Sequence, residues 1–291
     1  MLCLLPLTEV WLASLKVRRL GPIMKPLRGV LTAFGAVLFL TQIVAAQPAS
    51  SWIGEEAYRA RLVAGQPVSG ELRAGLEIRL EPGWKTYWIN PGPTGLSPKL
   101  DFSGSANLAS AEPLWPAPMR FVDGVGDAVG YSGAVIVPLR VIAHDAAKPV
   151  LLKAVVDYGV CEKICVPVHA ELQIELDRET QPDALAALQI KGFEKRVPVQ
   201  AKLGGNAPLA ITALARTEQG LGISVRFPDG AKVTDLFANS AHGPVPVPEK
   251  TAPGIYRIGL KDTPPRFDLI AVADGLAIKV PVALDGLAPK P

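Results

Sequence analysis

The chain has 291 residues, a formal net charge of +3, 27 glycines, 28 prolines and three cysteines. Five basic residues and one glutamate in the first 46 positions account for that charge; from Gln47 onward it is −1, which removes any electrostatic case for nucleic acid or anionic lipid. Three cysteines are too few for a disulfide-built scaffold, and glycines and prolines spread among short apolar runs suit an all-β chain with many turns.

Residues 1–46 read as a presequence. Met24, the expected true start, opens "MKPLRGVLTAFGAVLFLTQIVAAQPAS": Lys25 and Arg28 form a basic region, Val30 to Leu40 an apolar one, and Val44-Ala45-Ala46 the small residues of a cleavage site. The expectation is export with cleavage after Ala46, leaving a soluble mature protein. The alternative is a retained anchor, since 29–46 is almost long enough to span a membrane.

The 245 residues from Gln47 suit two domains of ordinary size. The expected first domain is 47–178. "AYRARLVAG" and "ELRAGLEIRLEPG" read as strands ended by glycine, and "WKTYWINPGPTGLSP" as an aromatic strand running into a Pro/Gly loop. "LWPAPMRFVDGVGDAVGYSG" reads as too irregular for regular structure, while "AVIVPLRVIAH", "PVLLKAVVDYGV" and "VPVHAELQIEL" read as strands. In the last of these, Val168, Ala170, Leu172, Ile174 and Leu176 share one parity, and His169, Glu171, Gln173 and Glu175 the other. That is one buried and one wet face. If the register holds back through Pro167, Cys165 lies on the wet face with His169. "PDALAALQIKGFEKRVP" breaks the pattern, and a short helical linker is expected over 179–196. From 197 to 291 the strand candidates "LAITALART", "LGISVRFPDG", "GIYRIGLKD", "FDLIAVADG" and "LAIKVPVAL" make a second β domain. The simplest architecture is two tandem immunoglobulin-like β-sandwich domains.

"DYGVCEKICVPVHAEL" carries both cysteines of the mature chain, Cys161 and Cys165. A disulfide needs Cα atoms roughly 4.4–6.8 Å apart, whereas four residues of extended strand cover about 13 Å. The pair can therefore bond only across a turn made of Glu162, Lys163 and Ile164. As a staple it gains little, because closing about five residues is worth roughly 2 kcal/mol against about 4.7 for a hundred-residue loop. As a metal site, Cys161, Cys165 and His169 offer two thiolates and an imidazole suited to copper(I) or zinc, but a strand does not readily bring His169 to the same ion. A reactive pair fits best: one cysteine attacks, the other resolves, and both are within reach of a partner. Lys163 favours a thiolate there and Glu162 opposes one. His144 and His242 have no ligand neighbours in sequence.

Three stretches carry a resemblance: "GWKTYWINPGPTGLSP" (83–98), "WPAPMRFVDGVGDAVGYSGAVIVPL" (115–139) and "VVDYGVCEKICVPVHAEL" (155–172). The chain resembles the periplasmic N-terminal domain of the DsbD-type membrane disulfide reductases, and more closely the longer N-terminal region of ScsB-type relatives. The resemblance implies a dithiol relay in the periplasm. It would take electrons from a thioredoxin-like protein or a membrane-embedded disulfide reductase and pass them to oxidised client proteins, with no organic cofactor. It implies that Cys165 forms the mixed disulfide and Cys161 resolves it, that a cap loop within 121–130, including Phe121 and Asp123, covers the pair, and that Tyr87 and Tyr131 lie near the site. For both tyrosines core packing is an equally good reading, and for Trp84, Trp88 and Trp115 a better one. The cysteine spacing is tighter than in the best-known members, and the chain lacks their transmembrane channel and C-terminal thioredoxin-like domain, so its reductant would be a separate protein. The alternatives are a non-enzymatic binding or scaffold protein with a structural disulfide, and a copper-binding accessory protein.

Overall fold

The computed structural model describes residues 47–123, 126–261 and 263–286; the expected export signal lies outside them. In the first half the strands are β1 (Ile53–Glu55), β2 (Tyr58–Val68), β3 (Glu71–Leu80), β4 (Lys85–Tyr87), β5 (Lys99–Asp101), β6 (Leu108–Pro113), β7 (Met119–Asp123), β8 (Gly126–Ser132), β9 (Ala134–Ala143), β10 (Val150–Cys161) and β11 (Cys165–Leu176). One sheet runs β1-β2-β3-β9-β6 and the other β11-β10-β4-β8-β7, with β5 also paired to β10. Alternation decides which face goes inside. Leu62, Leu76, Val137 and Leu139 from the first sheet meet Leu152, Val156, Ala170 and Leu176 from the second, all essentially buried. Each of these valines and leucines contributes roughly 1.5–3 kcal/mol.

The outer face of the first sheet is covered by α1 (Ala184–Glu194). Asp183 caps it, its carboxylate accepting from the Ala186 amide at 2.9 Å, and Pro182 sits just before the cap. Ala186 and Ile190 pack on Val63 and Ile136. A Cβ on Gly75 would lie 2.6 Å from Ile136 Cγ2 and 3.1 Å from Ile190 Cγ1, so the missing side chain is what seats the helix. The helical segment is docked on the first sandwich along one face.

The second half comprises β12 (Val199–Gln200), β13 (Ala210–Thr217), β14 (Gly220–Arg226), β15 (Thr234–Asn239), β16 (Glu249–Ala252), β17 (Ile255–Ile258), β18 (Arg266–Ala273) and β19 (Leu276–Ala283). Its sheets run β12-β19-β18-β15 and β13-β14-β17-β16, closing on Leu221, Ile223, Leu236, Tyr256 and Leu269. The fold is all-β, with two immunoglobulin-like sandwiches in tandem. They are also packed together. Phe237, Ile270, Val272 and Ala277 of the second half join the apolar cluster of the first, and Trp88 meets Phe237 edge-on at 6.2 Å between ring centroids.

The expectation that 114–133 would be irregular is corrected. Residues up to Pro118 lack regular structure, but β7 and β8 form an antiparallel hairpin with Met119 opposite Gly130 and Asp123 opposite Gly126. The glycines misled because they serve packing here. A Cβ on Gly130 would collide with the Thr86 carbonyl, so glycine at that position lets β8 lie close against β4.

Candidate functional site

Strands β10 and β11 pair without a register shift over their whole length, from Val150 opposite Leu176 to Cys161 opposite Cys165. Glu162, Lys163 and Ile164 are the exposed turn, and the two cysteines are joined as a disulfide with Cα atoms 4.1 Å apart. The register survives Pro167 because β11 is an edge strand, where a missing N–H can face outward. Cys165 therefore shares the exposed parity with His169. The two sulfur-bearing residues differ sharply in surroundings: Cys161 is 6% exposed, whereas Cys165 is exposed.

Cys161 is covered from the outside of its sheet. It forms a small cluster with Tyr87 and Ala128, and Phe121 packs against that cluster. The register explains the grouping. Cys161 opposes Lys85 on β4, Tyr87 opposes Gly130 and Phe121 opposes Ala128, so alternate residues of four adjacent strands share one face. Lys85 Nζ lies 5.4 Å from the centre of the Phe121 ring. Thr86, between Lys85 and Tyr87, points the other way, and its hydroxyl donates to the Gly159 carbonyl at 2.8 Å, fastening β4 to β10.

The Tyr87 hydroxyl lies 3.2 Å from Cys165 Sγ. With the sulfur in a disulfide the hydroxyl is the donor, and it can donate equally to a thiolate at the same place. Two glycines shape the slot for the ring. A Cβ on Gly95 would lie 2.7 Å from Tyr87 Cδ1, and one on Gly159 would lie 3.0 Å from Tyr87 Cδ2 and 2.8 Å from Leu96 Cβ. Tyr87 is held between the 88–98 loop and β10, with its polar end at the reachable sulfur.

The other residues singled out from sequence divide. Phe121 joins the site. Asp123 ends β7 opposite Gly126, and residues 124 and 125 of the stretch expected to hold the cap lie outside the described residues. Tyr131 is turned inward: it opposes Thr86, is buried in the main core, and its hydroxyl donates to the Pro116 carbonyl at 2.7 Å. Burial pushes its phenol well above the ordinary value. Trp88 is core, and Trp84 and Trp115 are partly buried against it. Lys163 is exposed in the turn. His169 faces Asp157 across the ladder, Nδ1 to Oδ1 2.7 Å, with Glu171 3.6 Å from Nε2. The bond to Asp157 raises its pKa. Among the described residues no three His, Cys, Asp or Glu side chains are grouped to hold a metal. Sequence reasoning missed Lys85, Gly95, Ala128 and Gly159. Gly95 lies in the Pro/Gly loop that follows an aromatic strand, which was the available signal; Gly159, within β10, and Lys85 and Ala128 carried none.

No helix among the described residues is long and apolar enough to cross a membrane. No curated protein matches the chain in sequence. Among solved structures, the N-terminal periplasmic domain of ScsB from Proteus mirabilis is similar over 82% of this chain and 99% of that one, with a TM-score of 0.63 and 18% identity. The BSP domain of a biofilm-associated protein aligns over 83% of this chain and 52% of that one, at a TM-score of 0.21 and 11% identity. The family model described as the N-terminal part of thiol:disulfide interchange protein DsbD matches residues 54–176, from β1 to the end of β11. Over that segment, which carries the cysteine hairpin, the chain is similar to the DsbD N-terminal domain family.

Proposed function

We propose that the chain is a periplasmic thiol–disulfide exchange module, whose Cys161–Cys165 dithiol passes electrons from a thioredoxin-like or membrane-embedded reductase to the disulfides of client proteins. The observation that carries this reading is the asymmetry of the pair: an exposed Cys165 with a hydroxyl donor at its sulfur, disulfide-bonded to a covered Cys161. In the reduced protein the Cys165 thiolate attacks one sulfur of a client disulfide. A Cys165–client bond forms, and the client's other sulfur leaves as a thiolate and takes up a proton. Cys161 gives up its proton and attacks Cys165 Sγ, closing the intramolecular disulfide and expelling the client's second thiolate, which is protonated in turn. Two electrons and two protons reach the client, and a partner dithiol reverses the oxidation by the same two steps. The exposed sulfur is the one a protein partner can approach, and Tyr87 supplies a hydrogen bond to it in its charged form.

The test is a trap. Reduced Cys161→Ser, incubated with oxidised thioredoxin, should accumulate a mixed disulfide through Cys165, because the resolving sulfur is gone. Cys165→Ser should not. A titration of the native pair against glutathione and dithiothreitol should give a potential above about −300 mV, the region below which structural disulfides sit. A lower potential together with an empty trap would sink the proposal in favour of a structural disulfide.

A further inference from the structure

Phe121 packs against the cluster that holds Cys161 from β7, the outermost strand of its sheet, which pairs on one side only, with β8. β4 pairs with β8 only over Gly130–Ser132, so the position of Phe121, opposite Ala128 beyond that stretch, depends on what else holds β7. Arg120, the preceding residue, points to the opposite face. Its Nε and Nη2 donate to Asp235 Oδ2 and Oδ1, both at 2.9 Å, a two-toothed grip. Nη1 donates to Asp127 Oδ2 at 2.7 Å, and Nη2 also reaches the carbonyls of Pro248 at 3.0 Å and Leu236 at 3.2 Å. The guanidinium lies 5.7 Å from the Phe237 ring centre, and the Arg120 side chain is 14% exposed. Asp127 is on β8; Asp235, Leu236, Phe237 and Pro248 all belong to the second sandwich. The other element around the site is tied the same way. Asn90, on the loop that carries Gly95 and Leu96, donates through Nδ2 to the carbonyls of Ala238 at 2.7 Å and Val245 at 2.8 Å.

We propose that Arg120 is a positioning residue for thiol–disulfide exchange: through Asp235 it fastens the β7–β8 hairpin to the second sandwich and so holds Phe121 against the cluster of Cys161, Tyr87 and Ala128. The second sandwich is thereby the support of the cover. This rests on the exchange reading above and deepens it. Each time a nucleophile attacks Cys165 Sγ, Cys161 leaves as a thiolate beside Tyr87, Ala128 and Phe121, where burial disfavours charge and Lys85, opposite it on β4, favours it. The set of the cover therefore governs how readily that sulfur becomes free and how open it is to other reagents. A planar guanidinium fork supplies the required geometry, and an ammonium group does not.

Alkylation of the reduced chain with iodoacetamide tests this directly. The thiolate displaces iodide and forms a stable S–C bond, and tryptic cleavage after Lys163 puts Cys161 and Cys165 on separate peptides, so each is read in the same sample. Loss of the charge-assisted bonds in Arg120→Gln or Asp235→Asn should raise the rate at Cys161 by about tenfold and leave Cys165 within about twofold. Phe121→Ala should do the same, and adding Arg120→Gln to it should change Cys161 no further. Arg120→Lys should behave like Arg120→Gln. A merely structural arginine would lower the melting temperature without this selectivity. The proposal is overturned if Cys161 is unchanged in both Arg120→Gln and Asp235→Asn while Phe121→Ala raises it, or if both cysteines accelerate together. An empty Cys161→Ser trap together with a potential as low as that of structural disulfides would sink the exchange reading instead, and the alkylation pattern would still decide whether Arg120 holds the cover.

Discussion

Gly159 is the position at which a single methyl group should disturb both stability and chemistry. Its backbone is ordinary strand, so alanine meets no conformational penalty there and by intrinsic preference would gain about 0.5–1 kcal/mol. Space is the obstacle. The added Cβ would lie 2.8 Å from Leu96 Cβ, 3.0 Å from Leu96 Cδ1 and 3.0 Å from Tyr87 Cδ2, where carbon atoms prefer about 3.5–4.0 Å. The Tyr87 ring must move by about half an ångström or more, and the slot's other wall is also close, since a Cβ built on Gly95 would lie 2.7 Å from Cδ1. Overpacking of this kind costs about 1–3 kcal/mol, so the net loss should be about 1–2 kcal/mol. The same displacement takes the hydroxyl off Cys165 Sγ, from 3.2 Å. Losing a hydrogen bond to a thiolate is worth about 1.5 kcal/mol, or about tenfold in thiolate population, and the greater nucleophilicity of a more basic sulfur offsets part of it, leaving exchange about threefold slower near pH 7. The assay is denaturant unfolding of the oxidised form, together with the rate at which the reduced form reacts with oxidised thioredoxin. Gly104→Ala is the control, since its nearest neighbour would be a relaxed 3.7 Å away. In a Tyr87→Phe background the stability cost should persist and the rate effect should vanish. Gly159→Ala with the stability and rate of Gly104→Ala would refute the reasoning.

Two further outcomes are expected. Glu77, 1% exposed, takes Arg61 and Arg79 at 2.7 Å each; Glu77→Gln should cost about 3 kcal/mol in the unfolding midpoint, the low end for breaking a buried ion pair because both arginines reach solvent. A cost under about 0.5 kcal/mol, the level of an ordinary surface change, would mean the pair is not holding β2 to β3. His169 has a folded pKa raised by its bond to Asp157, so its contribution is fully present below its ordinary pKa and is lost as pH rises through the raised one. In an NMR titration, Asp157→Asn should move the His169 transition toward lower pH; an unmoved transition would show that the 2.7 Å contact is not formed in solution.

Much of the site was legible because strand parity is a local property. The alternation from Val168 to Leu176, run backward, places Cys165 outside, and the unshifted register bears this out. Strand reach alone forces the turn at 162–164. What parity along one strand cannot supply is pairing between strands. Tyr87 and Tyr131 are equivalent candidates in sequence; only the pairing of Thr86 with Tyr131 and of Tyr87 with Gly130 turns the first toward the sulfur and the second into the core. The hairpin at 119–132 was hidden because glycine signals both a turn and a close approach, and Gly130 is the second kind. Arg120 was invisible for another reason: its partners Asp235, Leu236 and Pro248 lie more than a hundred residues away, and nothing local marks an arginine as a tie between sandwiches.

The free edge of β11 has a further consequence. Pro167 withholds a donor two residues beyond Cys165, and the exposed residues that follow include Glu171, Gln173 and Glu175. An unpaired strand invites a second strand to zip along it, and a missing N–H followed by like charges defeats that. Two copies of this chain meeting edge to edge would not extend their sheets, and a visiting protein can grip only the first residues of the strand. On the exchange reading proposed above, contact at Cys165 would thereby be brief, as release of one partner before the next requires.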